Sequence, residues 1–208
     1  MQRLAEPHLL NRKDLLLLYH TVTTQLQPDR PRIIEMMSSM HGEGTSTIAR
    51  EFARAVAGEI RQSVLLIVAT SGSPRIPGLE AVAKGEIPFD AAIDADPDVP
   101  LFYQTTLCLS GNNTSLLFDR SELDQVLAQA LRYAKLVIID APPALSEVAG
   151  VALARRAAGV LLVVEAERTR APIVEQARRL LETGGGRVLG VVMNKRVLHI
   201  PFSIYRRL

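Results

Sequence analysis

The chain has 208 residues, 48% of them apolar and 22% charged, with 24 Lys and Arg against 22 Asp and Glu for a net charge of +2. That length and balance fit one folded domain and exclude a disordered, collagen-like or low-complexity chain. The near-neutral charge, 4% aromatic content and absence of tryptophan leave no expectation of a nucleic-acid partner, and the single cysteine, Cys108, excludes a disulfide framework and points to a reducing compartment.

The first residues, MQRLAEPHLLNRKD, lack the apolar core of a signal peptide, and no apolar run approaches the ~20 residues of a membrane span. A soluble, cytoplasmic protein is expected. Residues 14–25 read as a helix within an N-terminal segment, 1–28, that precedes the main domain, 29–208. Five short apolar runs follow: residues 32–37 (RIIEMM), 64–69 (VLLIVA), 136–140 (LVIID), 160–164 (VLLVV) and 188–193 (VLGVVM). Most are continuous rather than alternating, as strands buried on both faces are. Residues 47–60, 122–134 and 172–182 between them carry helical patterns. The second follows an S-E-L-D capping signal at Ser121; the third opens on Pro172 and stops at Gly184-Gly185-Gly186. Strand and helix in alternation predict a three-layer αβα domain with a mostly parallel sheet. Residues 70–98, with Pro74, Pro77, Pro88 and Pro97, read as loop with short helices, and the polar stretch 109–118 reads as turn-rich.

The first strand runs into Ser38-Ser39-Met40-His41-Gly42-Glu43-Gly44-Thr45-Ser46-Thr47, which opens a helix. Glycines let a loop turn its N–H groups onto an anion, and the helix N-terminus adds about half a positive charge. Local residues alone leave two readings open, a phosphate loop and a Ser/Gly turn that caps a helix. A phosphate loop normally ends Gly-Lys-Ser/Thr. Here Thr45 holds the lysine position, while Ser46 or Thr47 still offers a hydroxyl for Mg²⁺. A charge-assisted contact to phosphate contributes about 1.5–3 kcal/mol against ~1 for a neutral one. Its loss weakens affinity roughly tenfold to a hundredfold.

GEGTSTIAREFARAVA, VLLIVATSGSPRIPGLEAVAKGE, LVIIDAPP and VLLVVEAERTRAPIVEQARRLLETGGGRVLGVVMNK occur in one order. In this the chain resembles the bacterial tyrosine kinases of exopolysaccharide and capsule assembly, which share the deviant P-loop class with septum-site and partition ATPases. The resemblance spans about residues 10–208; the IDAPP and VxxVVMN segments are its more specific parts. It implies ATP or ADP with Mg²⁺ as cofactor, held by Gly42, Glu43, Gly44, Thr45, Ser46 and Thr47. It further implies that Asp140 is the Walker B carboxylate, sharing the metal with Ser46, and that Asn194 meets the base. As partner it implies the cytoplasmic tail of a membrane polysaccharide co-polymerase, with peripheral localisation at the inner membrane and a possible homo-oligomer.

The departures from that family are specific. The second acidic motif falls at Val68 and Thr70, so with Thr45 at the lysine position two catalytic parts, the phosphate cation and the metal-side carboxylate, are missing together. The C-terminal tyrosine cluster is absent, leaving Tyr205 alone after Tyr133, and no Glu/Arg assembly motif is legible in residues 13–25. The expectation is a kinase-like regulator with weak or no phosphoryl transfer. Two alternatives stand beside it. An active autokinase would need a basic residue reaching the loop from elsewhere. A positioning or partition-type ATPase would be favoured by a contiguous face of Arg54, Arg61, Arg155 and Arg156. His8, His20, His41 and His199 show no metal-ligand spacing, Arg168 and Arg170 follow a strand end near the expected site, and the apolar-basic tail 200–208 is a candidate docking segment.

Overall fold

The computed structural model describes residues 10–71, 77–109 and 120–196. Pro74, nearly all of the stretch 109–118, His8, His199, Tyr205 and the tail 200–208 lie outside the described residues. In chain order the elements are α1 (Arg12–Gln25), β1 (Ile33–Ser38), α2 (Thr45–Ala55) continued by a π-turn over Val56–Ile60, β2 (Val64–Thr70), α3 (Leu79–Ala83), a 3₁₀ turn over Phe89–Ala92, β3 (Asp94–Ala95), β4 (Phe102–Cys108), α4 (Arg120–Tyr133), β5 (Leu136–Asp140), α5 (Val148–Ala154), β6 (Gly159–Glu165), α6 (Ala171–Thr183) and β7 (Val188–Asn194).

Each of the five apolar runs is a strand, and all join one seven-stranded sheet in the order β3-β4-β2-β5-β1-β6-β7. Every pairing is parallel except the short β3 against β4. With helices on both faces, this is the αβα architecture expected from continuous apolar strands. The sheet divides the core in two. On one side α1 and α2 cover Ile34, Met36, Val64, Leu66, Ile138, Leu161 and Val163 through Leu15, Tyr19, Ile48 and Phe52. On the other, α3 to α6 cover Ile33, Met37, Leu65, Ile67, Val137, Ile139, Val160 and Leu162. The N-terminal helix thus packs into the main core. It starts at Arg12, two residues earlier than periodicity predicts, because the Asn11 side chain accepts from the Asp14 N–H while the Asp14 carboxylate accepts from the Asn11 N–H.

Three elements are additional to the sequence-based expectation: the two-residue β3, β4 and α5. Strand β4, FYQTTLC, has β-branched and aromatic residues but no continuous apolar run. It lies next to the sheet edge, where Tyr103, Gln104 and Thr106 are only half-buried. Helix α5, VAGVALA, has no polar face to generate a helical period. Gly150 lets it settle on β1, since a Cβ there would sit 3.0 Å from Met37 Cε.

One core residue conflicts with its surroundings. Glu35, in the central strand β1, is fully buried beside Ile139 and Val160, and neither of its carboxylate oxygens has a hydrogen-bond partner. Burial pushes its carboxyl well above the usual range, which favours the protonated form.

Candidate functional site

In open α/β sheets ligands bind beyond the carboxyl ends of the strands. The loop 38–47 leaves the carboxyl end of β1 there, between the ends of β5 and β6. Gly42 and Gly44 adopt φ of +85° and +93°, backbone that residues with a Cβ rarely enter. Gly44 is the N-cap of α2, which begins at Thr45 rather than Thr47 and has no side-chain cap. The orphan N–H groups of its first turn therefore face the cleft.

That cleft has a volume of about 560 Å³ and is lined by the loop from His41 to Thr47, by Ser38, by Val68, Ala69 and Thr70 from β2, by Asp140 to Pro143, and by Lys195. Gly42, Glu43, Gly44, Thr45, Ser46, Thr47 and Asp140 are thus brought to one place. A triphosphate fits the combination of glycine turns, an uncapped helix start and open volume. Thr45, at the lysine position, is buried, and its hydroxyl oxygen is without a partner.

Asp140 ends β5 in register with Met36 on one side and Val68 on the other, so its side chain is on the α2 face. The Ser46 hydroxyl donates to its carboxylate. Burial raises the Asp140 pKa, opposed by that hydrogen bond and by the nearby charge of Arg50. A hydroxyl beside one carboxylate suits a Mg²⁺ that arrives on phosphate, because Mg²⁺ takes few protein ligands and keeps water and phosphate oxygens. Among the described residues no cluster of three His, Cys, Asp or Glu side chains exists to hold a metal by itself. Val68, where the family resemblance puts the second acidic motif, is the cross-strand neighbour of Asp140.

Asn194 is at the loop and is buried. Its Nδ2 donates to the Glu43 carbonyl at 2.9 Å, while its Oδ1 is unpartnered. It packs so close that a Cβ on Gly44 would come within 2.1 Å of Nδ2. Glu43 is also turned inward: one oxygen accepts from the N–H groups of Ser39 and Met40 at 2.8 and 2.9 Å, and the other accepts from the Thr169 hydroxyl. Glu43 therefore braces the loop. His41 is exposed and lines both this cleft and a smaller one of about 250 Å³ that also includes Arg168 and Arg170. Arg168 pairs with Glu165 at 3.2 Å.

Sequence reasoning missed Lys195 as a member of this site. Its ammonium donates to the Gly42 carbonyl at 2.7 Å and to Glu165 at 3.0 Å. That contact holds the Glu165 carboxyl below its usual range. The available signal was its place directly after Asn194. The four arginines of the partition-ATPase alternative form no single face: Arg54, paired with Asp96, and Arg61 belong to the α1–α2 side, whereas Arg155 and Arg156 follow α5 on the other. No helix among the described residues is long and apolar enough to cross a membrane.

No known family profile matches the chain. Tyrosine-protein kinase CpsD of Streptococcus pneumoniae serotype 4 is 29% identical over 182 residues, covering 82% of this chain and 79% of its own length. Tyrosine-protein kinase YwqD of Bacillus subtilis is 26% identical over 217 residues, covering 97% and 89%. Among solved structures, the kinase domain of the Escherichia coli tyrosine kinase ETK superposes with a TM-score of 0.80 at 20% identity, over 91% of this chain and 77% of that domain. The cell division ATPase MinD of Pyrococcus furiosus gives 0.59 at 20% identity, over 78% and 71%. The chain's homologues are bacterial tyrosine-protein kinases, and its fold is the P-loop ATPase-like fold of bacterial tyrosine kinase domains.

Proposed function

We propose that the chain is a kinase-like regulator of exopolysaccharide or capsule synthesis and export. It holds ATP or ADP weakly and transfers phosphate feebly or not at all. The observation that carries this reading is the composition of the cleft. Glycine turns, the α2 N-terminus, Ser46 and Asp140 are present, while Thr45 and Val68 occupy the two positions where charge would act on a transferring phosphoryl group.

In this reading the backbone of residues 42–47 orients the phosphates, Ser46 and Asp140 hold the Mg²⁺ that accompanies them, and Glu43 with Asn194 keeps the loop in shape. A bound nucleotide would supply the transferable phosphoryl group. The domain would act by docking on the cytoplasmic tail of a membrane polysaccharide co-polymerase, which brings it to the inner membrane. Homo-oligomerisation belongs to the same proposal, as does the division into segment 1–28 and domain 29–208.

The active-autokinase reading has one observation in its favour, the reach of Lys195 to the loop. Calorimetric titration with Mg-ATP, run beside a phosphotyrosine assay, separates the two. Binding without phosphotyrosine supports the regulator. Phosphotyrosine formed by wild type and lost in D140N supports the kinase and overturns the regulator reading.

A further inference from the structure

The lysine missing from position 45 is not the only charge to consider, because Lys195 is the one lysine or arginine among the described residues that line the cleft. It follows β7 with φ of +53°, left-handed backbone that a non-glycine residue rarely adopts. In that conformation its ammonium reaches the Gly42 carbonyl, and Glu165 at the end of β6 holds it there. Asn194, the residue before, takes the next carbonyl, that of Glu43. Two consecutive residues of β7 and its end therefore grip two consecutive carbonyls of the phosphate loop.

The peptide unit is planar and the chain contains no cis peptide among its described residues, so the N–H of each gripped unit points opposite to its carbonyl. With the Gly42 carbonyl on Lys195, the Glu43 N–H is turned to the other side of the loop. With the Glu43 carbonyl on Asn194, the Gly44 N–H is turned likewise. A hydrogen bond to a carbonyl also polarises its peptide and strengthens the donor at the other end, the more so when the first donor is charged.

We infer that Lys195 is an anion-positioning residue. Its ammonium polarises the Gly42–Glu43 peptide so that the Glu43 N–H becomes a stronger donor to the phosphates of a nucleoside diphosphate or triphosphate. Part of the charge absent from position 45 thereby reaches the anion through the backbone. Glu165 moderates the effect by sharing the ammonium. The inference rests on the reading that the loop holds nucleotide phosphate.

The test compares wild type, K195M, K195R and E165Q, with K135M as a charge control at the opposite end of the sheet. ADP and AMP binding are measured by calorimetry, and the Glu43 amide proton shift is measured by NMR without ligand. K195M is expected to weaken ADP binding about threefold to tenfold, the difference between a charge-assisted and a neutral hydrogen bond. AMP, which lacks the β-phosphate, loses less. K195R and K135M stay near wild type, E165Q binds ADP more tightly, and the Glu43 amide proton moves upfield in K195M. Unchanged ADP affinity in K195M, an equal loss for ADP and AMP, or an unmoved Glu43 amide overturns the inference while the nucleotide reading stands. A wild-type chain that binds no ADP overturns the nucleotide reading itself, and the inference with it.

Discussion

The two walls of the cleft are built differently. The wall made by the phosphate loop and the end of β7 is densely tied: Glu43 to Ser39, Met40 and Thr169, Asn194 to Glu43, Lys195 to Gly42 and Glu165. The wall made by the ends of β2 and β5 has Asp140 with Ser46, beside Val68, Ala69 and Thr70. What holds an anion cradle in shape is backbone conformation and the side chains that grip its carbonyls. What makes it reactive is a separate set of charges. In the regulator reading proposed above, a chain that changes the second set at Thr45 and Val68 keeps the first.

The sharpest way to break the tied wall is Gly44→Ala. Left-handed backbone at this position and the clash with Asn194 Nδ2 act together, the first alone being worth about 1–2 kcal/mol. Nucleotide binding is expected to fall more than tenfold, with a lower melting temperature, read by calorimetry and thermal denaturation. A smaller change sharpens the contrast from the other direction. Thr45→Lys restores the direct cation and should tighten Mg-ATP binding roughly tenfold to a hundredfold, yet phosphate transfer should stay low while Val68 remains.

A third experiment sits beneath both walls. Glu35→Met removes the unpartnered carboxyl from β1 and should raise stability by about 1–3 kcal/mol at neutral pH in a denaturant titration. The folded-state pKa of Glu35 lies above its unfolded value of about 4.3, so above that pH the folded chain binds more protons than the unfolded one. Stability therefore declines as pH rises from about 4 through the folded pKa, and the advantage of Glu35→Met widens over that window. Last and smallest, the raised pKa of Asp140 shifts the Mg²⁺ dependence of nucleotide binding. The gain from Mg²⁺ should fade, as pH is lowered, earlier than an ordinary aspartate would give, and Asp140→Asn should remove it at every pH.

The fold was legible because its central strands are continuous apolar runs, and a strand buried on both faces leaves that mark. Strand β4 left a weaker one: near the edge it tolerates Gln104 and Thr106, so only its β-propensity speaks for it. Helix α5 left none, since VAGVALA is apolar on every side, the exposed Val148 included, and has no polar stripe to set a period. At the site, Gly42, Gly44, Ser46 and Asp140 could be named from spacing because loop turns and strand ends are local features. The inward turn of Glu43 and Asn194 and the reach of Lys195 could not. They depend on β7 lying where its end meets a loop 151 residues earlier in the chain, at the separation of Asn194 from Glu43. Glu35 was visible as one acid within RIIEMM, but only the covered face shows that nothing there accompanies it.

The central claim is that binding and chemistry have come apart in one cleft. Nucleotide occupancy and phosphate incorporation measured on the same sample at saturating Mg-ATP test it most directly. The account predicts measurable occupancy with no phosphotyrosine above that of D140N. Stoichiometric phosphotyrosine in wild type, abolished in D140N, would contradict it.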